Sequence, residues 1–253
     1  MQVYVWLLVP TALLLPPGAW SGEIIGGRVT KPHSRPYMAF LKRQTSRGPM
    51  ICGGFLVGKD FVLTAAHCAE GTTTVILGAH NVHQREKTQQ KISVQRKFPH
   101  PRYNETSFEN DLMLLQLAKP VKPSEEVGTI PLPQAGHVVE PGSVCSVAGW
   151  GKISRYATTN VLHEVELEVM EDGTCQKNWK MRRHYKPSVM MCAGDPEKKK
   201  SSFSGDSGGP LVCDGTAQGI VSFGKGDGSP PRVFTRVSAY IPWIRKTMRK
   251  PRD

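Results

Sequence analysis

Short apolar runs rich in β-branched and aromatic residues recur along the chain from Ile24 onward, separated by turns of glycine, proline and aspartate. Runs of this length and composition predict β-strands. The predicted strands are residues 52–57, 61–64, 73–77, 112–117, 145–150, 210–213 and 218–223. Asp214-Gly215 separates the last two and predicts a hairpin, because glycine accepts the positive φ of a type I′ turn. Short strands at this spacing indicate an antiparallel sandwich or barrel.

The final segment, residues 238–250, has the spacing of an amphipathic helix. Ser238 is suited to cap its first turn, and Pro242 falls where proline is tolerated. Basic residues gather toward the end of the segment, where they complement the helix dipole. The apolar residues that share one face are Tyr240, Ile241, Ile244 and Met248.

Residues 1–21 carry no charged side chain, contain an apolar run over residues 3–15, and end in Ala19-Trp20-Ser21. This small-x-small ending is typical of a signal peptidase site, and it predicts a signal peptide over 1–21. A membrane anchor would need roughly 18 or more apolar residues in a row. Prolines interrupt the run before that length, so we expect no transmembrane anchor and a secreted protein that begins at Gly22.

The chain, at 253 residues with 39% hydrophobic content, is long enough to bury a large core, which argues against disorder. Lys and Arg outnumber Asp and Glu by 33 to 21, and the net charge of +12 favours acidic partners. Sulfated polysaccharide, nucleic acid and anionic membrane all fit that charge. Charge alone does not choose among them.

Six cysteines in a secreted chain predict three disulfides, because the secretory compartment is oxidising and the count is even. The alternative, a zinc site, needs closely spaced ligand pairs, and the one close pair here is His67-Cys68. We therefore expect neither a metal nor a cofactor. The cysteines are Cys52, Cys68, Cys145, Cys175, Cys192 and Cys213.

Ser207 lies among glycines in the segment 205–210, where backbone N–H groups can approach a substrate carbonyl without obstruction by a Cβ. The same letters satisfy G-x-S-x-G, the nucleophile elbow of α/β-hydrolases. In that fold, however, the acid and the histidine follow the serine on alternating strands and helices. Here no such alternation precedes Ser207, and the candidate partners come before it.

Those partners are His67, which ends an apolar strand beside a cysteine, and Asp111, which stands at the start of another. An unpaired carboxylate at such a position would be costly, so Asp111 needs a hydrogen-bonding partner, and a histidine is a plausible one. We interpret the remaining histidines as surface or hydrogen-bonded core residues. They are His33, His80, His83, His100, His137, His163 and His184.

Together these segments resemble the trypsin/chymotrypsin family of serine peptidases, from Ile24-Ile25-Gly26-Gly27 to the C-terminal helix. The order His67, Asp111, Ser207 is the chymotrypsin order. The resemblance implies an all-β, trypsin-like fold of two antiparallel six-stranded β-barrels packed together, with a C-terminal α-helix. The expected peptidase domain is 24–253, with lobes of about 24–127 and 128–253.

The resemblance also implies a role for each residue. Ser207 is the nucleophile, His67 accepts its proton, and Asp111 fixes the tautomer of the histidine and stabilises its charged form. The N–H groups of Gly205 and Ser207 bind the oxyanion. The expected activity is endopeptidase cleavage of proteins and peptides through an acyl-enzyme.

A short activation segment, Gly22-Glu23, remains before Ile24, and the resemblance implies that the freed Ile24 ammonium pairs with Asp206. A two-residue acidic propeptide is similar to those of the granzyme, chymase and cathepsin G branch. That likeness implies activation by a dipeptidyl peptidase and storage in secretory granules, with sulfated proteoglycan as the storage partner. It also implies the disulfides Cys52–Cys68, Cys145–Cys213 and Cys175–Cys192.

The residue six before the serine forms the base of the primary specificity pocket in this family, and here it is Ser201, so the carboxylate of a trypsin-like pocket is missing. Gly224 leaves the mouth of the pocket open. Arg232 matches the pocket-wall position where granzyme B has an arginine, which suits capture of a carboxylate and favours cleavage after Asp or Glu. If Arg232 turned outward, the pocket would instead suit Phe, Tyr or Leu.

Two further expectations concern partners and modification. Asn104-Glu105-Thr106 is the one N-glycosylation sequon and lies in a polar stretch. A non-catalytic, polyanion-binding member of the family is an alternative reading of the basic charge, but His67, Asp111 and Ser207 are all intact. We expect a monomer without specific nucleic-acid binding.

Overall fold

The computed structural model describes residues 24–154, 157–178, 181 and 183–249. The predicted signal peptide 1–21 and activation dipeptide 22–23 lie outside these residues. Thirteen strands are described: β1 Arg28–Val29, β2 Met38–Thr45, β3 Gly48–Gly58, β4 Phe61–Thr64, β5 Thr72–Leu77, β6 Gln90–Pro99, β7 Met113–Leu117, β8 Val144–Gly149, β9 His163–Glu168, β10 Met190–Ala193, β11 Pro210–Cys213, β12 Thr216–Gly224 and β13 Arg232–Arg236. The helices are α1 Asp172–Lys177 and α2 Ile241–Met248, and 3-10 turns span Ala66–Cys68 and Val237–Tyr240.

The first lobe is a closed antiparallel barrel in which the strands follow the order β2, β3, β4, β7, β6, β5. Strands β4 and β7 are buried at every residue, because they carry large aliphatic side chains into the barrel and against the second lobe. Fully buried side chains such as Leu41, Phe55 and Leu114 fill this core. Strand β4 ends three residues before His67 and β7 begins two residues after Asp111, so the core fixes where these predicted catalytic residues stand.

The second lobe is a sheet of seven strands in the order β1, β9, β8, β11, β12, β13, β10. The expectation was six strands in a closed barrel. The extra strand is the two-residue β1, which adds to the edge of β9. Strands β8 to β13 curve round so that an isolated bridge joins Val169 to Ala193, and Met170 N donates to Cys192 O at 2.9 Å. The ring therefore closes through single contacts rather than a continuous ladder.

All seven strands predicted from the sequence are present, and Asp214 and Gly215 both have positive φ in the turn between β11 and β12. The C-terminal helix is shorter than predicted, with Pro242 in its first turn. The proposed cap was wrong: Ser238 lies in the preceding 3-10 turn and its Oγ donates to His137 O at 2.7 Å. The Ser238 hydroxyl is thus hydrogen-bonded to a distant carbonyl and does not cap the helix.

Three disulfides join Cys52 to Cys68, Cys145 to Cys213 and Cys175 to Cys192. This is the pairing that the family resemblance implies. The first disulfide ties β3 to the 3-10 turn that carries His67. Within the described residues, no helix is long and apolar enough to cross a membrane.

Candidate active site

The chain segments before and after His67 both hold it in place. It lies in the 3-10 turn Ala66–Cys68 that follows β4, and Cys68 is anchored through its disulfide to Cys52. The turn is buried at Ala66 and Cys68, whereas the His67 side chain retains 21% exposure. The ring is therefore fixed at its base while its far edge remains accessible.

Asp111 is the fixed partner of this ring. Its carboxylate is fully buried, and its Oδ2 lies 2.8 Å from His67 Nδ1 while its Oδ1 accepts the His67 backbone N–H at 3.0 Å. Ser222 Oγ also donates to Oδ2, at 2.5 Å. Because the carboxylate accepts, Nδ1 carries the proton and Nε2 is left to act as a base.

Ser207 reaches the same place from the second lobe through backbone contacts. Gly53 N donates to Ser207 O at 2.8 Å, and the Cys68 sulfur lies 3.8 Å from that carbonyl oxygen. A Cβ on Gly208 would stand 2.1 Å from Thr64 Oγ1, so only glycine allows this approach. The structure thus brings the serine segment against the end of β4, the strand that leads to His67.

Two backbone N–H groups around Ser207 are not used in hydrogen bonds within the described residues. Gly208 N donates to Val221 O and Gly209 N donates to Asp206 O, both at 2.9 Å. Gly205 adopts a φ of +101°. Within the described part of the chain, the N–H groups of Gly205 and Ser207 find no acceptor. Two unpaired donors beside a serine are what binding of an oxyanion requires.

Asp206, next to the serine, is buried with 1% exposure. Its Oδ1 accepts Gly151 N at 2.9 Å and its Oδ2 accepts Phe203 N at 2.8 Å. Burial raises the pKa of Asp206 to about 6, although these bonds oppose the shift. Ile24 is fully buried in the core of the second lobe. The carboxylate therefore lacks a neutralising partner strong enough to offset its burial.

The candidate specificity pocket combines neutral and positive groups. Ser201 is fully buried and its Oγ donates to Ser202 O at 2.8 Å. Arg232 is buried with 7% exposure and turns inward rather than outward. It lies opposite Gly224 on the neighbouring strand, and a Cβ at Gly224 would stand 2.6 Å from the guanidinium carbon. The guanidinium thus occupies the space over Gly224.

This guanidinium is only partly satisfied. Its NH1 donates to Lys225 O at 2.8 Å, whereas its buried Nε finds no partner among the described residues. Burial lowers the pKa of Arg232 to about 10, with Asp206 and Asp227 opposing the shift, so the group remains charged at neutral pH. The Lys225 ammonium is directed to Pro230 O, from which its Nζ lies 3.4 Å away.

Phe108 and Phe223 form an aromatic wall beside His67. The Phe108 ring packs edge-on to His67 at 5.9 Å and lies 5.3 Å from Phe223. Sequence reasoning missed Phe108, and it also missed Ser222 as a donor to Asp111. No local pattern marks either residue, because Phe108 acquires its position from a backbone with φ of +55° and Ser222 from the pairing of the two lobes.

A cavity of about 650 Å³ opens beside Gly205. Its lining combines apolar side chains, including Phe40, Met50 and Ile51, with basic ones, including Lys42 and Lys152. The site also brings His67 within 4.8 Å of Cys52 and Cys68. Both sulfurs belong to the disulfide, so this group offers no thiolate to a metal ion.

Comparison with known proteins gives similarity over nearly the whole described chain. A family model described as Trypsin matches residues 24–244. Cathepsin G of Homo sapiens is 51% identical over 96% of this chain and 94% of that protein, and Duodenase-1 of Bos taurus is 53% identical over 97% of each. Granzyme B of Homo sapiens is 50% identical over 96% of this chain and 98% of that protein. A solved structure described as "Structure of GrC" has a TM-score of 0.86 and 48% identity over 90% of this chain and 100% of that chain.

Proposed function

The chain belongs to the trypsin family and is a serine endopeptidase, and from this premise we propose that Ser207, His67 and Asp111 form its catalytic triad and that it cleaves after acidic residues. The observation that carries the triad is the buried Asp111 carboxylate, which holds the ring and the backbone of His67 at 2.8 and 3.0 Å. The preference rests on the inward-facing Arg232.

In the proposed mechanism, Ser207 Oγ attacks the carbonyl carbon of the scissile bond and passes its proton to His67 Nε2. Asp111 stabilises the imidazolium that forms, and the N–H groups of Gly205 and Ser207 take the charge of the oxyanion. Collapse of the tetrahedral intermediate breaks the C–N bond, and His67 protonates the departing amine. Water, deprotonated by His67, then hydrolyses the acyl-enzyme to release the acid.

Arg232 supports the acidic preference on three grounds. Its guanidinium lies over Gly224, its charge persists at neutral pH, and its Nε has an unused donor. A substrate carboxylate would supply the missing acceptor and a counter-charge at once. The pocket floor adds no repulsion, because Ser201 is neutral. Cleavage after Asp, with Glu as the second acidic residue, follows from this arrangement.

The residues after the scissile bond would lie in the cavity beside Gly205. Its apolar and basic lining suits a peptide that carries apolar and acidic side chains there. The residues before the scissile bond would run along Phe108 and Phe223.

Activation would follow removal of residues 1–23. The new α-ammonium of Ile24 would pair with the buried carboxylate of Asp206, whose raised pKa marks an unmet need for positive charge. We further propose that a dipeptidyl peptidase removes Gly22-Glu23, that the enzyme is stored in secretory granules on a sulfated proteoglycan, and that it is secreted as a monomer. Asn104 is exposed and is the proposed glycan acceptor.

Two alternatives remain distinguishable. In the first, Arg232 moves aside and the pocket takes Phe, Tyr or Leu. In the second, the protein binds polyanions without catalysis. The second conflicts with the ordered contacts of His67 and Asp111, which a binding protein would not need.

The decisive experiment uses the chain that begins at Ile24. We expect an uncharged fluorophosphonate to label it and Ser207→Ala to remain unlabelled, with circular dichroism of the two proteins unchanged. Peptides that differ only at the residue before the scissile bond should be cleaved fastest when it is Asp. Labelling of Ser207→Ala would overturn the nucleophile, and faster cleavage after Phe would overturn the acidic preference.

A further inference from the structure

His100 is a buried histidine that the mechanism does not use, and its contacts lead to Asp111. It follows β6 and has 6% exposure. Its Nδ1 accepts the backbone N–H of Arg102 at 3.3 Å, and its backbone N–H donates to Leu112 O at 3.0 Å. His100 therefore begins the loop 100–111, and its backbone pairs with Leu112, the residue directly after Asp111.

Asn110, the neighbour of Asp111, is clamped by two groups that both touch His100. Its Nδ2 donates to Arg102 O at 2.7 Å, and its Oδ1 accepts the Tyr240 hydroxyl at 3.0 Å. The His100 ring packs against the Tyr240 ring at 5.2 Å and against Trp243 at 5.1 Å. One imidazole thus supports both arms of the clamp.

The clamp holds a backbone conformation that needs support. Asn110 has a φ of +59°, in the left-handed region, which asparagine enters more readily than most side chains but less readily than glycine. That conformation turns the chain so that Asp111 faces His67. Loss of either hydrogen bond would let Asn110 relax and change the direction in which the Asp111 carboxylate points.

The clamp requires a neutral ring. Nδ1 accepts a hydrogen bond, so the ring proton belongs on Nε2. A second proton on Nδ1 would face the Arg102 N–H, donor against donor, and would place a charge in a buried position. Burial, followed by the Arg102 charge, lowers the pKa of His100. Tyr240, which packs against the ring, has its hydroxyl in the electrostatic field of three further ionisable groups, Glu109, Arg102 and Asp111.

We propose that His100 is a positioning residue for the triad: its neutral ring supports Arg102 and Tyr240, which clamp Asn110 beside Asp111, and protonation of the ring releases the clamp and lowers peptidase activity in acid. The inference rests on the proposed triad. It adds to His67 a second histidine that must be neutral for full activity, and substitution of His100 separates the two roles.

The test is the rate of fluorophosphonate labelling between pH 4.5 and 8, because an uncharged probe does not use the acidic pocket. Each required deprotonation contributes about a tenfold fall per pH unit below its pKa. In the wild type we expect the acid limb to fall by more than tenfold per unit. In His100→Asn, whose Oδ1 replaces the Nδ1 acceptor but does not titrate, the limb should stay at tenfold. His137→Asn, at an exposed histidine, should steepen as the wild type does.

The outcomes separate this inference from the proposed function. If the wild type is not labelled at Ser207 at pH 7.5, the triad fails. If it is labelled but its acid limb stays at tenfold per unit, or if His100→Asn still steepens, the role of His100 is overturned. Tyr240→Phe, which removes one arm of the clamp, should lower labelling at every pH without removing the steepening. Near-UV circular dichroism that is unchanged down to pH 4.5 separates the expected change from acid unfolding, which would overturn the proposal if it accounted for the whole loss.

Discussion

Single residues in the site are placed by contacts with sequence-distant partners rather than by their neighbours. Asp111 meets His67 across 44 positions of the chain and Ser222 across 111. The order of the motifs predicted His67, Asp111 and Ser207 as a set, because each residue type has one role in that chemistry. The order of the motifs could not predict whether Arg232 points into the pocket. Rotation about its side-chain bonds decides this, and with it whether the pocket prefers acidic or apolar substrate residues.

Arg232 gives the residue-scale prediction. Arg232→Gly should lower kcat/KM for a peptide with Asp before the scissile bond by about tenfold to a hundredfold, because a charge-assisted hydrogen bond contributes about 1.5–3 kcal/mol. The same change should raise kcat/KM for the matched Phe peptide. Lys225→Ala is the control, since its ammonium is directed to Pro230 O, and it should leave the Asp-to-Phe ratio unchanged. An unchanged ratio in Arg232→Gly would contradict the role given to the guanidinium.

Whole elements were predictable where the sequence is apolar and bounded by turns, and less so elsewhere. Strand β6 was missed because six of its ten residues are polar, and β10 because its four residues, Met190–Ala193, carry little β-propensity. Pairing with β7 and β13 makes these segments strands. Contacts of that kind are long-range and leave no local pattern. The two-residue β1 is a strand only because β9 offers it an edge.

The disulfides give the element-scale prediction. Removing Cys52–Cys68 through paired alanine substitutions frees the turn of His67, and we expect a loss of about 3 kcal/mol, or about 6–12 °C in Tm. Cys175–Cys192 is a matched control, because its sequence separation is 17 against 16. Both variants should melt at similarly lowered temperatures. Only the first should also slow fluorophosphonate labelling, and equal slowing in both would contradict a specific support of His67.

At the scale of the molecule, the proposed activation links the start of the chain to the serine segment of the second lobe. Asp206 is buried beside Ser207, and Gly149 and Gly151 approach its carboxylate so closely that a Cβ at either would stand within 2.5 Å of Oδ1. This carboxylate has a pKa of about 6 against 3.8 for the ordinary group. The folded chain with its leader segment therefore binds this proton more tightly than the unfolded chain does.

The prediction for the whole molecule follows from this raised pKa. In the unprocessed chain, Asp206 makes the free energy of unfolding fall as the pH rises from about 4 to 6. In the chain that begins at Ile24, the ammonium should lower the pKa of Asp206 and remove this fall. The difference in Tm between processed and unprocessed protein should therefore widen between pH 4 and 6.5, as followed by calorimetry. In the unprocessed chain, Asp206→Asn should flatten the dependence, and parallel melting curves for the two forms would contradict the pairing.

The seam where the two lobes meet at Ser207 consists of main chain: the amide of Gly53, the carbonyl of Ser207, and Gly208 against the end of β4. Apart from the Cys68 sulfur and the Thr64 hydroxyl, the contacts described there join backbone atoms, which offer no side chain for exchange. Arg232, in contrast, lies on β13, and its NH1 donates to Lys225 O within the second lobe. The proposed pocket wall and the seam thus share no direct hydrogen bond through Arg232 among the described residues, although the guanidinium lies in the field of Asp206. An engineer could replace the pocket wall to redirect this peptidase, whereas a single added methyl group at Gly208 would force the lobes apart and stop cleavage of every substrate alike.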